Sequence, residues 1–115
     1  MTREEFETVV RSLNAKLTAL RNKKAEEYAP GTDRLQNFKT AAEMNHETIP
    51  SAIWGMMSKH IVSLADMIRM EYRAKDDRRV PIIHTFELKE WEAKLFDAII
   101  YLQLLYAALK EDKDE

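Results

Sequence analysis

LFDAIIYLQLLYAAL, residues 95–109, decides the fold class. Only Asp97 and Gln103 are strongly polar, and no glycine or proline interrupts the run. Leu88, Trp91, Leu95, Ile99, Leu102, Leu105 and Leu109 recur in steps of three and four, the period of an α-helix face. With so few polar members, this helix needs cover on nearly all sides. A chain of 115 residues rarely supplies that cover at a terminal helix, whereas symmetric association commonly does. A homo-oligomer is therefore expected; the alternative is a helix seated centrally in a monomer.

Working outward, the same period recurs upstream. Thr2 with Glu5 is a capping-box pair, and Phe6, Val9, Val10, Leu13, Leu17 and Leu20 then mark one face of a first helix, which Pro30-Gly31 ends. Asp33 is placed to cap a short second helix carrying Leu35, Phe38, Ala41 and Ala42. Thr48 or Ser51, around Pro50, opens a third helix running to about Ala74. KDDRRVP, ending at Pro81, reads as a surface loop, and Thr85 as the cap of the last helix. The expectation is an all-α, four-helix arrangement of three long helices and one short one. It is a single domain over residues 1–110, with 111–115 a polar, frayed tail.

Composition narrows the class. Two glycines and three prolines are too few for the turns of a compact all-β fold. Lys+Arg is 18 against 20 Asp+Glu, a net charge of -2, so direct DNA or RNA binding is not expected. The absence of cysteine excludes disulfides and thiolate metal sites. No run reaches the roughly 18 apolar residues of a membrane helix, so no membrane partner is expected. The opening MTREEFETVV is polar and acidic, unlike a secretory signal, which points to the cytoplasm.

The informative residues are charges within apolar runs. Asp97 sits in Leu95-Phe96-Asp97-Ala98-Ile99, where an ionised carboxylate needs a cation, a metal or several hydrogen bonds. Glu90, Lys94, Asp97 and Tyr101 share one side of that helix. This strip either faces a ligand or metal, or holds a Lys94–Asp97 pair that fixes packing. Asp66 repeats the theme beside Lys59, Ser63 and Arg73, with His60 turned towards the apolar face. Lys24, Glu27 and Tyr28 close the first helix within one turn. Glu27, Asp66 and Asp97 are candidate oxygen ligands for Mg²⁺, with Lys24, Arg34, Lys39 and Lys59 available to phosphate. Read structurally, the same charges are a solvated, salt-bridged helix end. No glycine-rich phosphate loop or HExxH motif is present, and His46, His60 and His84 lack metal spacing.

The blocks KKAEEYA (23–29), DRLQNFKTAAE (33–43), AIWGMMSKHIVSLADM (52–67) and WEAKLFDAIIYLQLL (91–105) together resemble a family of small helical phage and prophage proteins. These look similar to the nucleotide-modification-associated, MazG-like branch of the all-α nucleoside triphosphate pyrophosphatases. The resemblance implies a Mg²⁺ held by acids on facing helices, which orients a triphosphate and activates water. By motif, Asp97 matches the acid of the last helix, Glu27 that of the Lys-x-x-acid-Tyr block, and Asp66 and His60 the Lys-His block. The family's glutamate three residues before its last aspartate is Lys94 here. Its ExxE signature is replaced by Lys59-His60 through Asp66, and Ala93 and Ile100 also depart from the phage pattern. Fewer acids mean weaker metal binding and more positive charge near phosphate.

The expectation is a nucleotide-binding protein that acts on or sequesters its ligand. Lys24, Tyr28, Asn37, Lys59, His60, Lys94 and Tyr101 would contact the ligand, and Tyr28, Tyr101 or Trp54 would stack on a base. If it is an enzyme, it hydrolyses phosphoanhydride bonds, with Asp97 and His60 the candidate catalytic groups. The alternative is a structural or interaction module whose apolar last helix mediates oligomerisation or partner docking.

Overall fold

Thr2 and Glu5 start the first helix by satisfying each other's backbone: the Thr2 hydroxyl accepts from the Glu5 N–H at 3.0 Å, and the Glu5 carboxylate accepts from the Thr2 N–H at 2.8 Å. The computed structural model describes residues 1–28, 31–73 and 85–114, with the backbone alone for Tyr28 and Arg73. Helix α1 spans Arg3–Tyr28, α2 Gln36–Met44, α3 Ile49–Ile68 and α4 Leu88–Lys113. A π-helical turn, Arg69–Arg73, continues α3. The described residues contain no strand.

The helix ends follow local chemistry, in two places differently from expectation. Asp33 does not cap α2. Its carboxylate accepts from the Leu35 N–H at 2.9 Å and tightens the preceding turn, so Leu35 takes the cap position without a side-chain bond. The α2 C-terminus closes with Glu47 N–H reaching the Ala42 carbonyl at 2.9 Å and His46 N–H reaching Glu43. This Schellman geometry places His46 at φ 54°, where glycine is the usual occupant. Thr48 caps α3 through the Ser51 N–H at 3.2 Å, with Pro50 in the first turn. Thr85 is not the cap of α4. That role falls to Glu87, which forms a reciprocal box with Glu90; the Glu87 N–H donates to the Glu90 carboxylate at 2.8 Å. Helix α4 also runs through residues 111–113, expected to fray, because Glu111 is held by Lys39 at 3.0 Å. The end of the third helix near Ala74, the 75–81 loop and His84 lie outside the described residues.

The core joins all four helices around Leu17, Phe38, Ile53, Phe96, Ile100 and Leu104. Helices α3 and α4 are its antiparallel centre, with His60 opposite Tyr101 and Tyr72 opposite Trp91. On α4 the inward face is Phe96, Ile100, Leu104 and Ala108, whereas Leu88, Leu95, Leu102 and Leu109 of the predicted stripe are exposed. Both faces of α4 are apolar, so periodicity alone could not choose between them. Helix α1 buries Leu17 and part of Leu13 and Leu20, but leaves Phe6 and Val9 exposed. The chain is elongated, 53 × 36 × 26 Å, with a radius of gyration of 17.4 Å. A compact chain of this length would have about 13 Å.

Candidate functional site

Helix periodicity builds a cleft where α1, α2, α3 and α4 converge. On α4, Asp97, Ile100, Tyr101 and Leu104 follow at steps of one, three and four and share a face. Met56 and His60, one turn apart, supply the α3 wall. Arg34 comes from the turn before α2, Asn37 and Phe38 from its first turn, and Lys24 from the last turns of α1. The cleft is about 500 Å³, within the range of small-molecule sites.

Asp97 organises its charges. Lys24 Nζ is 3.1 Å from one carboxylate oxygen, and His60 Nδ1 is 3.6 Å from the other. All three side chains are half-buried. Tyr101 lies against His60 at a ring-centroid distance of 5.1 Å, tilted by 30°. Phe38 meets Tyr101 edge-on at 6.2 Å, so His60, Tyr101 and Phe38 form a run of contacting rings along the cleft wall. Arg34 makes no ion pair or hydrogen bond among the described residues. Among the described residues the lining therefore carries Lys24 and Arg34 against a single carboxylate, with Asn37 as a neutral donor and acceptor. It suits an anionic ligand with a flat apolar part.

Of the residues singled out from sequence, Lys24, Arg34, Asn37, His60, Asp97 and Tyr101 meet here. The others do not. The Lys94–Asp97 pairing is not formed, since Asp97 is taken by Lys24 and His60. Lys94 lies with Ser63, Asp66 and Glu90 in a separate groove at the other end of the α3–α4 pair. Asp66 is half-exposed and pairs with Arg69 one turn on, so it is not a buried acid. Lys59 and Glu27 are exposed, and the side chain of Tyr28 lies outside the described residues. Trp54 is exposed on the far side of α3. Lys39 is occupied by Asp33 at 2.7 Å and by Glu111. Among the described residues no three His, Asp or Glu side chains are grouped to hold a metal ion. The donor set of the cleft, one carboxylate already facing two basic groups, does not fit a protein-held Mg²⁺.

Sequence reasoning missed Phe38, Met56, Ile100 and Leu104 as cleft walls. Extending from His60 and Tyr101 by one turn would have found Met56 and Leu104. It also missed Glu71, which is 4% exposed within the π-helical turn. Its carboxylate accepts from the Phe86 N–H at 2.8 Å, across the described ends of the α3–α4 connection.

No family model, curated protein or solved structure matches the chain. No helix among the described residues is long and apolar enough to cross a membrane.

Proposed function

We propose that the chain binds a nucleotide, or a similar phosphorylated small molecule with a flat ring, in the cleft of Lys24, Arg34, Asn37, His60, Asp97 and Tyr101. The observation that carries this reading is the excess of cationic over acidic side chains beside an aromatic wall. Arg34 supplies a planar, bidentate donor fork for phosphate, and Lys24 a point charge. Asn37 hydrogen-bonds the base or sugar, while Phe38 and Tyr101 form the apolar wall. The resemblance of the Lys-His and Asp-Arg-Leu-x-Asn-Phe-Lys blocks to phage MazG-like proteins points to the same ligand class.

The lining favours holding the ligand over hydrolysing it. Among the described residues Asp97 is the cleft's one carboxylate and is engaged by Lys24 and His60, which leaves no second described acid there to position water. Mg²⁺ then has no role at protein ligands. The reading is tested by thermal shift and calorimetry with nucleoside mono-, di- and triphosphates, in Mg²⁺ and in EDTA. The midpoint rises with ligand in both media. Arg34→Ala loses about tenfold or more in affinity, as expected for a charge-assisted bond of about 1.5–3 kcal/mol. Absence of a shift with every nucleotide tried overturns the proposal, and Mg²⁺-dependent pyrophosphate release overturns the sequestering form of it.

A further inference from the structure

Helix α3 carries a second apolar stripe, on the side away from the core. Trp54, Ser58, Ile61, Ala65, Ile68 and Tyr72 follow at alternating steps of four and three, the seam spacing of a coiled coil. Trp54, Ile61, Ile68 and Tyr72 are 59%, 44%, 53% and 51% exposed. On α4, Leu88, Leu95, Leu102 and Leu109 recur every seven residues and are exposed as well. Tyr72, at the end of the α3 stripe, touches Trp91 of α4, which lies between Leu88 and Leu95 in the sequence, with ring centroids 6.1 Å apart. The antiparallel pair α3–α4 thus presents one apolar face along its length, and neither stripe contains a charged residue. The nucleotide cleft uses different faces of both helices, through Met56, His60, Asp97 and Tyr101.

We infer that this α3–α4 face is the interface with a second copy of the chain, closing a four-helix core between two protomers. Three observations select a second copy. Two parallel-lying stripes of opposite chain direction are self-complementary: a two-fold axis through the face sets each stripe against an equally apolar one. The apolar area is of the right size: applying the exposed fractions to side chains of roughly 150–250 Å² each gives about 600–1,000 Å² per copy, against about 800 Å² per partner in a stable dimer. Charge is depleted along the face, as at the cores of homodimer interfaces.

The test is sedimentation equilibrium of the full chain at micromolar concentration, with circular dichroism as the control for folding. The mass is twice 13.5 kDa for the wild type. Ile61→Glu on α3 and Leu102→Glu on α4 each return it to a single copy while helicity is kept, because both positions are exposed within the protomer. Phe6→Glu, on the exposed end of α1, leaves the dimer intact. A monomeric wild type overturns the inference. So does an association that survives both α3 and α4 substitutions, or one that Phe6→Glu abolishes while Ile61→Glu does not.

Discussion

Lys24 and Asp97 meet across the first and last helices, Nζ to Oδ1 at 3.1 Å, with each side chain less than a third exposed. The contact fastens α1 to α4 beside the cleft and at the same time sets the direction of the Lys24 charge. Partial exposure limits its worth to roughly 1 kcal/mol. Lys24→Met and Asp97→Asn are each expected to lower stability by about that much, and the double variant by less than the sum. Urea unfolding of the four proteins measures the coupling; strictly additive losses would show that the pair does not hold the helices.

Ile53 and Trp54 are neighbours with opposite fates. Ile53 is fully buried and Trp54 faces outward. Ile53→Ala is expected to cost about 2–5 kcal/mol through lost burial and the cavity left behind. Trp54→Ala should leave protomer stability within about 0.5 kcal/mol and weaken self-association instead. Chemical unfolding at several protein concentrations separates the two effects, because only an interface loss depends on concentration.

His46 occupies a left-handed position that costs a residue with a Cβ about 1 kcal/mol or more. His46→Gly keeps the Schellman hydrogen bonds and relieves that cost. A rise in the thermal midpoint is expected, and the cleft should be unaffected since His46 is not among its lining residues. A fall would mean that the imidazole makes a stabilising contact of its own.

Lys39 ties the turn before α2 to the end of α4 by pairing with Asp33 and Glu111. The hydrogen bond from Lys39, then that from the Leu35 N–H, holds the Asp33 carboxyl below its ordinary range. The bonds to Asp33 and then Glu111 raise Lys39 above its ordinary range. The Asp33 contribution is therefore present above the unfolded carboxylate range and is lost as pH falls through the depressed native value. That of Lys39 is present below its unfolded value and is lost as pH rises through the raised one. Lys39→Met should be less stable than wild type at neutral pH, and the two should converge in acid. Both groups are open to solvent, so added salt should shrink the difference.

Glu71 tests a different kind of contact, since it is a buried acceptor for the Phe86 N–H. Glu71→Ala leaves that donor unpaired and is expected to cost about 1–3 kcal/mol. Hydrogen exchange at the Phe86 amide reads this directly, and unchanged protection would sink the assignment.

The helical class and the starts of α1 and α3 were legible because caps and periodicity act locally: Thr2 with Glu5, and Thr48 before Pro50, need only their own neighbours. Thr85 misled because Glu87 and Glu90 form a box with acid at both ends, a variant of the usual hydroxyl pattern. The cleft was partly legible. Asp97 and His60 stood out as polar groups in apolar runs, and they do converge. Asp66 stood out on the same grounds yet lies exposed, because one-dimensional neighbours cannot tell a core face from an outer face that is also apolar. That ambiguity hid the α4 register as well.

Helix α1 is anchored near its middle by Leu17 and at its end by Lys24, while its first turns extend free of the core. A ligand held by Lys24 is thereby a ligand that draws on the attachment of a whole helix. Occupancy of the cleft and the docking of α1 are then two sides of one equilibrium. Amides along α1 should slow in exchange when the cleft fills, even those several turns from any atom of the ligand.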